Sequence, residues 1–357
     1  MKPGCSNGTR TSAPRFSFLT LTNFYRRETC SKRPSNAGLK RQKICSFGTS
    51  LLNMQLTDTF LHNIRNSFGA QGERWLVDLP DLLNKAARRW DLSLGEPFLL
   101  SYNYVCAATR SDGTQVVLKI GVPNREILSE MTALRLFDGQ GACRLLEADD
   151  QNYTFLLERL DPGQMLTSLD DDEARTGIAC QVMTRLWRPA PPELPFIPLS
   201  SWFAELNKLR PGHGGGTGPF PCWLVERVEA LLPDLLHPSN PQMLIHGDFH
   251  HFNVLNSERS ACGWLAIDPK GVVGPPAYEV GPLLINPWDD LLKSGDPVRI
   301  TERRLAILSE HLGFTPAHLR DWGLCHCLLS AWWDMDESGR GGEYPLACAE
   351  MLAKAGV

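Results

Sequence analysis

Most of the chemistry available to this sequence is concentrated in one loop. Leu244-Ile245-His246-Gly247-Asp248-Phe249-His250-His251-Phe252-Asn253-Val254-Leu255 has the pattern H-x-D-x-x-x-x-N, and a second acidic residue closes the apolar run Leu265-Ala266-Ile267-Asp268. Phosphoryl transfer from a nucleotide requires a carboxylate that orients and deprotonates an acceptor hydroxyl. It also requires an amide oxygen and a further carboxylate to hold Mg²⁺ on the phosphates. Asp248 suits the base, and Asn253 and Asp268 suit the metal ligands. Asn253 follows Asp248 by five positions, so a short loop can aim both side chains at one point. Asp248-Phe249-His250 also opens like the D-x-H of a dinuclear metallophosphoesterase, but no G-N-H follows to extend that ligand set.

The loop has to be held rigid, and its flanks, Leu244-Ile245 and Val254-Leu255, read as short buried strand segments. Upstream, residues 97–105 carry a strand signal. Ser111-Asp112-Gly113-Thr114 is a turn and 115–120 a returning strand, which together make a β-hairpin. Lys119 ends the run Val116-Val117-Leu118-Lys119, as the phosphate-binding lysine does on a kinase's third strand. A lysine there is otherwise a snorkelling surface residue. The order favours the functional role: strand lysine, helix, base loop, second aspartate. The helix spans 125–137, and its Glu130, 11 residues after Lys119, can hold the ammonium; Glu126, one turn earlier on the same face, competes for that role.

Other elements build around these. Apolar residues from Phe60 to Ala86 recur at helical spacing, with Thr57 or Asp58 as cap and Pro80 where a second helix restarts. Two strands, 143–148 and 153–160, flank a turn, and Glu158 to Leu160 form a hinge whose backbone would meet an adenine edge. Helical spacing then covers 170–188, a segment from Trp202 capped by Ser200 or Ser201, 223–236, 283–292, 299–312, 316–333 and 346–352. Lys270 lies in a glycine- and proline-rich strip and either neutralises phosphate or acceptor charge or is a solvated loop lysine. Trp332-Trp333-Asp334-Met335-Asp336-Glu337 joins aromatic faces to three carboxylates, which suits either a wall for a cationic acceptor or a capping cluster at a helix end. Cys325-His326-Cys327 lacks a partner pair for zinc and reads as core packing.

Composition narrows the class. A chain of 357 residues, 43% apolar and 21% charged, is an ordinary globular protein with one large core or two lobes. A net charge of −4 gives no electrostatic case for nucleic acid. No apolar run approaches the ~18 residues of a membrane span. Eleven cysteines without a framework of spacings suggest reduced thiols and a cytoplasmic location. Residues 1–53 hold ten Lys or Arg against a single acid, Glu28. Vector or upstream sequence ahead of a start at Met54, a disordered basic tail and an organelle-targeting peptide are all open for this segment, which is expected to stand outside the fold.

The segments 245–255, Gly263-Trp264-Leu265-Ala266-Ile267-Asp268-Pro269-Lys270-Gly271 and Pro276-Ala277-Tyr278-Glu279-Val280-Gly281-Pro282-Leu283-Leu284 resemble the aminoglycoside/hydroxyurea antibiotic resistance kinase family, and within it the streptomycin 6-phosphotransferases. The resemblance runs from about Met54 to the C-terminus. It implies an α+β, protein-kinase-like two-lobed fold: a β-rich, nucleotide-binding N-lobe (54–157), a hinge (158–163) and a mainly helical C-lobe (164–357). It also implies ATP- and Mg²⁺-dependent phosphorylation of a streptomycin hydroxyl at the 6-position. By position, Asp248 is the base, Asn253 and Asp268 hold the metal, and Lys119, supported by Glu130, meets the α/β-phosphates. Glu158 and Leu160 would meet the nucleotide at the hinge, and His246 is loop architecture. A drug with two guanidinium groups asks for carboxylates, and Glu279, Asp334, Asp336 and Glu337, with Lys270, are the acceptor-site candidates. The sequence departs from the kinase pattern in having no G-x-G-x-x-G; residues 101–105 take that place, and the basic 1–53 segment is foreign to the family. Hydroxyurea or a hydroxylated metabolite is the alternative acceptor. A nucleotide-binding pseudokinase is the alternative of another class, against which the intact Lys119, Asp248, Asn253 and Asp268 argue. No nucleic acid or membrane partner is expected.

Overall fold

Alternation along one strand sets the layers of the N-lobe. In the computed structural model, which describes residues 56–335 and 340–356, the lobe begins with helix α1 (Asp58–Arg89) and strands β1 (Leu92–Pro97), β2 (Asn103–Arg110) and β3 (Gln115–Gly121). Helix α2 (Arg125–Phe137), β4 (Leu145–Asp149) and β5 (Thr154–Glu158) complete it, and the antiparallel sheet has the order β1-β2-β3-β5-β4. Side chains alternate across a strand. Val116, Leu118 and Ile120 therefore pack beneath Phe60, Ile64, Leu79 and Leu83 of α1, whereas Lys119 projects from the opposite face.

Two local expectations are corrected by the fold. Helix α1 is capped by Thr57, whose Oγ1 accepts from Phe60 N at 3.2 Å, but its break falls at Gly69 (φ +52°), not at Pro80, which stays within the helix. The apolar run at 97–105 is not one strand: Pro97 ends β1, and the connection to β2 leaves Phe98 and Leu99 43% and 52% exposed. The hairpin of β2 and β3 around 111–114 forms as expected.

The chain then leaves the first sheet. Strand β6 (Pro162–Met165) joins β10 (Val254–Ser257) and β11 (Trp264–Ala266). A second small sheet, ordered β7-β9-β12-β8, contains β7 (Arg188–Pro189), β8 (Ile197–Pro198), β9 (Met243–Ile245) and β12 (Val272–Gly274). Its register pairs Ile245 with Val272, while Val254 pairs with Ala266 in the other sheet. Loops 246–253 and 267–271 are therefore zipped together from both sides. Lys270 N donates to His246 O at 2.7 Å and Ile267 N to Asn253 O at 2.9 Å.

Helices α3 (Asp172–Leu186), α4 (Leu199–Phe203), α5 (Leu209–Gly212), α6 (Cys222–Leu235), α7 (Val280–Leu284), α8 (Trp288–Lys293), α9 (Pro297–Leu312), α10 (Pro316–Asp334) and α11 (Glu343–Lys354) surround these sheets. Segment 283–292 is not one helix, because Pro287 separates α7 from α8. Neither Ser200 nor Ser201 caps a helix at Trp202; α4 starts at Leu199, and the Ser201 hydroxyl donates to Pro198 O at 2.6 Å. Helix α10 runs through the core, with Trp322, Cys325, Cys327 and Leu329 fully buried, and its His326 Nδ1 lies 3.0 Å from the Tyr278 hydroxyl. Among the described residues no helix is long and apolar enough to cross a membrane. The basic segment 1–53 lies outside the described residues.

Candidate active site

The loop at 246–253 is built around a turn that excludes a side chain. Gly247 has φ +87°, and a methyl group there would come within 2.7 Å of Val272 and 3.1 Å of Trp202. The amides of His246 and Gly247 both donate to Glu279, at 2.8 Å to Oε2 and Oε1 respectively. Glu279 is fully buried, and burial pushes its carboxyl up to about 8, although the two N–H groups favour the ionised form. It was expected at the acceptor. With no exposed surface and both oxygens holding backbone, it is instead part of the loop's framework.

His246 ties the two loops together. Its Nδ1 accepts from Asp248 N at 3.2 Å, which assigns the proton to Nε2, and Nε2–H donates to Ile267 O at 2.8 Å. Burial holds this imidazole down to about 4, so it is neutral. Asn253 donates its Nδ2 to Asp248 O at 3.0 Å, which leaves the amide oxygen as the end that could coordinate a metal. His250 accepts from Phe252 N at Nδ1 (3.3 Å), so its Nε2–H faces Asp248 Oδ1 at 3.5 Å.

Opposite this loop, Lys119 joins the lobes. Its ammonium bonds Glu130 Oε1 at 2.6 Å and Asp268 Oδ1. Burial opposes the lysine's charge, but Asp268 and Glu130 outweigh it and raise the pKa. Burial would likewise raise Asp268, yet Lys119 and Lys270 hold its carboxyl well below the ordinary range. Glu130 rather than Glu126 takes the lysine. Lys270 Nζ stands 3.5 Å from Asp268 Oδ2 and 3.9 Å from Asp248 Oδ2. Helix α2, capped by Asn124 Oδ1 on Ile127 N (2.9 Å), docks on the second loop through Ser129, whose hydroxyl donates to Gly271 O at 2.6 Å. The approach is close enough that a methyl at Gly271 would lie 2.5 Å from Ser129 O.

The structure thus brings Lys119, Glu130, His246, Asp248, Asn253, Asp268 and Lys270 into one cluster. Asn253 and Asp268 provide one amide oxygen and one carboxylate. Among the described residues no group of three or more His, Cys, Asp or Glu could hold a metal. That sparse donor set fits Mg²⁺, which takes one or two protein ligands and completes its shell with water and phosphate oxygens.

The remaining expected positions differ in kind. The carboxylate of Glu158 accepts from Arg259 Nε at 2.5 Å and from Arg144 N at 2.8 Å, so its side chain ties the end of β5 to the β10–β11 connection rather than facing a nucleotide. Leu160 is buried beside it, and the Arg159 guanidinium sits 5.9 Å over the ring of Phe98 from the β1–β2 connection. Asp334 ends α10 half-buried, where burial pushes its carboxyl up to about 7. Its neighbour Trp333 packs edge-on at 5.4 Å against Trp202, the ring that touches Gly247. Asp336 and Glu337 lie outside the described residues. Sequence reasoning missed His250, Ser129 and the framework role of Glu279. The paired histidines after Asp248 were the one visible hint.

Comparison with known proteins agrees with this geometry. A family model described as aminoglycoside/hydroxyurea antibiotic resistance kinase matches residues 92–339. A streptomycin 6-kinase of Streptomyces glaucescens is 32% identical over 286 residues, 80% of this chain and 92% of the relative. A hydroxyurea phosphotransferase of Kitasatospora aureofaciens is 30% identical, covering 80% of this chain and 82% of its own. The solved amicoumacin kinase in complex with AMP-PNP, Ca²⁺ and its drug superposes with a TM-score of 0.52 at 15% identity, over 80% of this chain and 95% of that one. That likeness shows a shared protein-kinase-like fold.

Proposed function

The chain belongs to the aminoglycoside/hydroxyurea antibiotic resistance kinase family, and from that membership we propose that it transfers the γ-phosphoryl group of ATP to the 6-hydroxyl of streptomycin. The observation that carries this reading is the meeting of Asp248, Asn253, Asp268 and Lys119 in one cluster. We assign the nucleotide to the lobe at 54–157 and the acceptor to the lobe at 164–357, with 158–163 as the hinge.

In this mechanism Asp248, its backbone held at both N and O, receives the proton of the acceptor hydroxyl. The acceptor oxygen forms a bond to the γ-phosphorus as the bond from that phosphorus to the β-phosphate oxygen breaks, and ADP leaves. His250, whose Nε2 lies 3.5 Å from Asp248 Oδ1, flanks that carboxylate. Lys119, fixed by Glu130, faces the α/β-phosphates. Mg²⁺ held by Asn253 and Asp268 would neutralise charge on the β- and γ-phosphates. No covalent chemistry falls to the protein, so positioning and electrostatics supply the rate. Asp334, half-buried at the end of α10, is the described carboxylate suited to a guanidinium of the drug.

Hydroxyurea is the second reading, favoured by the relative that carries that activity in its name. ADP release by the purified protein with MgATP and either streptomycin or hydroxyurea tests both, with mass spectrometry of the product. The expected outcome is release that depends on streptomycin and a drug carrying one added phosphoryl group. Release dependent on hydroxyurea alone would transfer the assignment to the second reading. No ATP turnover with any acceptor would leave a nucleotide-binding pseudokinase.

A further inference from the structure

Two lysines stand among four carboxylates in this cluster, and one carboxylate is left over. Lys119 is held by Glu130 and Asp268. Lys270 bridges Asp268 and Asp248, at 3.5 and 3.9 Å. Glu126 lies four residues before Glu130, on the same face of α2, and its Oε1 is buried without a hydrogen-bond partner. Apart from burial, which raises its carboxyl to about 7, Lys270 is the group that acts on Glu126 most strongly. The hydrogen bond from Ser129 to Gly271 O fixes this face of α2 against the loop that carries Lys270. The lysine's flexible four-carbon stem can therefore reposition its ammonium toward Glu126 with the backbone in place. A buried carboxylate oxygen without a donor is costly and calls for a physical reason.

We propose that Lys270 is a two-position cation, bridging Asp248 and Asp268 in the metal-free enzyme and moving onto Glu126 when metal and nucleotide enter. The inference rests on the phosphotransferase reading above. An ammonium beside Asp268 repels a divalent ion bound to the same carboxylate. The displaced cation needs an anionic acceptor inside the cluster, and Glu126 has an oxygen unfilled. From there the ammonium remains a counter-charge for the transferred phosphoryl group. Glu126 is then a positioning residue, and Lys270 acts as a built-in competitor for the metal.

The test is Mn²⁺ binding followed by electron paramagnetic resonance without nucleotide, alongside calorimetric binding of Mg²⁺–AMP-PNP, on the parent, Lys270→Met, Glu126→Gln and the double variant. A competitor that fills a site roughly nine-tenths of the time lowers apparent affinity about tenfold, so Lys270→Met should bind Mn²⁺ about tenfold more tightly. Lys270→Arg, which keeps the charge, should stay near the parent and provides the comparison if the Met variant folds poorly. Glu126→Gln should leave metal binding without nucleotide unchanged and weaken Mg²⁺–AMP-PNP binding, an effect that disappears in the Lys270→Met background. Unchanged or weaker Mn²⁺ binding in Lys270→Met, or a Glu126→Gln defect that persists without Lys270, overturns the proposal. A parent protein that binds no metal–nucleotide complex overturns the phosphotransferase reading itself, so the two failures are distinguishable.

Discussion

Glu279→Ala should damage both stability and turnover, because this carboxyl holds the base loop and touches no substrate. The His246 and Gly247 amides each donate to it at 2.8 Å, in a site with no solvent exposure. Removing the acceptor strands two buried N–H groups. Each costs about 1–3 kcal/mol, so the loss of stability is roughly 2–6 kcal/mol. Glu279→Gln keeps one acceptor and turns an NH₂ toward the other amide, so about half of that loss is expected. Urea denaturation at pH 7, with slopes compared between variants, measures it. The same loop carries Asp248, and misplacing a reacting group by ~1 Å costs about a hundredfold, so kcat should fall by about that factor. Nucleotide affinity should change little, since Lys119 and Glu130 lie on other elements. An alanine variant within ~0.5 kcal/mol of the parent, with parent kcat, would refute the framework role. A variant of parent stability whose only defect is a raised KM for the acceptor would return Glu279 to the acceptor site.

Three further outcomes are expected. Asp248→Asn should retain the fold and the binding of Mg²⁺–AMP-PNP while turnover drops about 10²–10⁴-fold, the range of a lost general base; near-parent turnover in a soluble variant would rule out that role. Lys119→Met leaves Glu130 buried and unpaired beside Asp268, so stability should fall by roughly 3–5 kcal/mol. Adding Glu130→Gln should recover part of it, and a thermal shift series with no recovery would contradict the pairing. His326 is buried against Tyr278 and held down to about 4, against an ordinary value near 6.5, so its stability contribution is complete above pH 6.5 and is lost as pH falls through 4. The stability gap between the parent and His326→Gln should therefore narrow on acidification by up to ~1.4 kcal/mol per pH unit across that window; a gap independent of pH would show that the ring is not held neutral.

How far the sequence was legible depended on the range of each interaction. The helix over 125–137, the hairpin around 111–114 and the short strands flanking the base loop were legible, because periodicity and turn residues act between neighbours. The set Lys119, Asp248, Asn253 and Asp268 stands out because phosphoryl transfer uses those residue types in that order, and the structure brings the four together. The sequence favours Glu130 over Glu126 as the partner of Lys119, and the structure pairs it so; because both lie on one helix face, it is the docking of α2 through Ser129 and Gly271 that fixes which carboxylate reaches the lysine. Glu279 appeared as an acidic side chain near a binding site and turned out to be backbone support, because its two donors sit 33 and 32 residues away in sequence.

The sequence by itself determined which groups could do chemistry and which segments were helix or strand, both consequences of residue type and local spacing. Only the tertiary structure decided which of those groups face one another. Pairing Ile245 with Val272 and Val254 with Ala266 brings the two loops together, and the alternation of β3 turns Lys119 toward Asp268, 149 residues away. Such contacts are set by packing across the whole chain, and local sequence carries no mark of them.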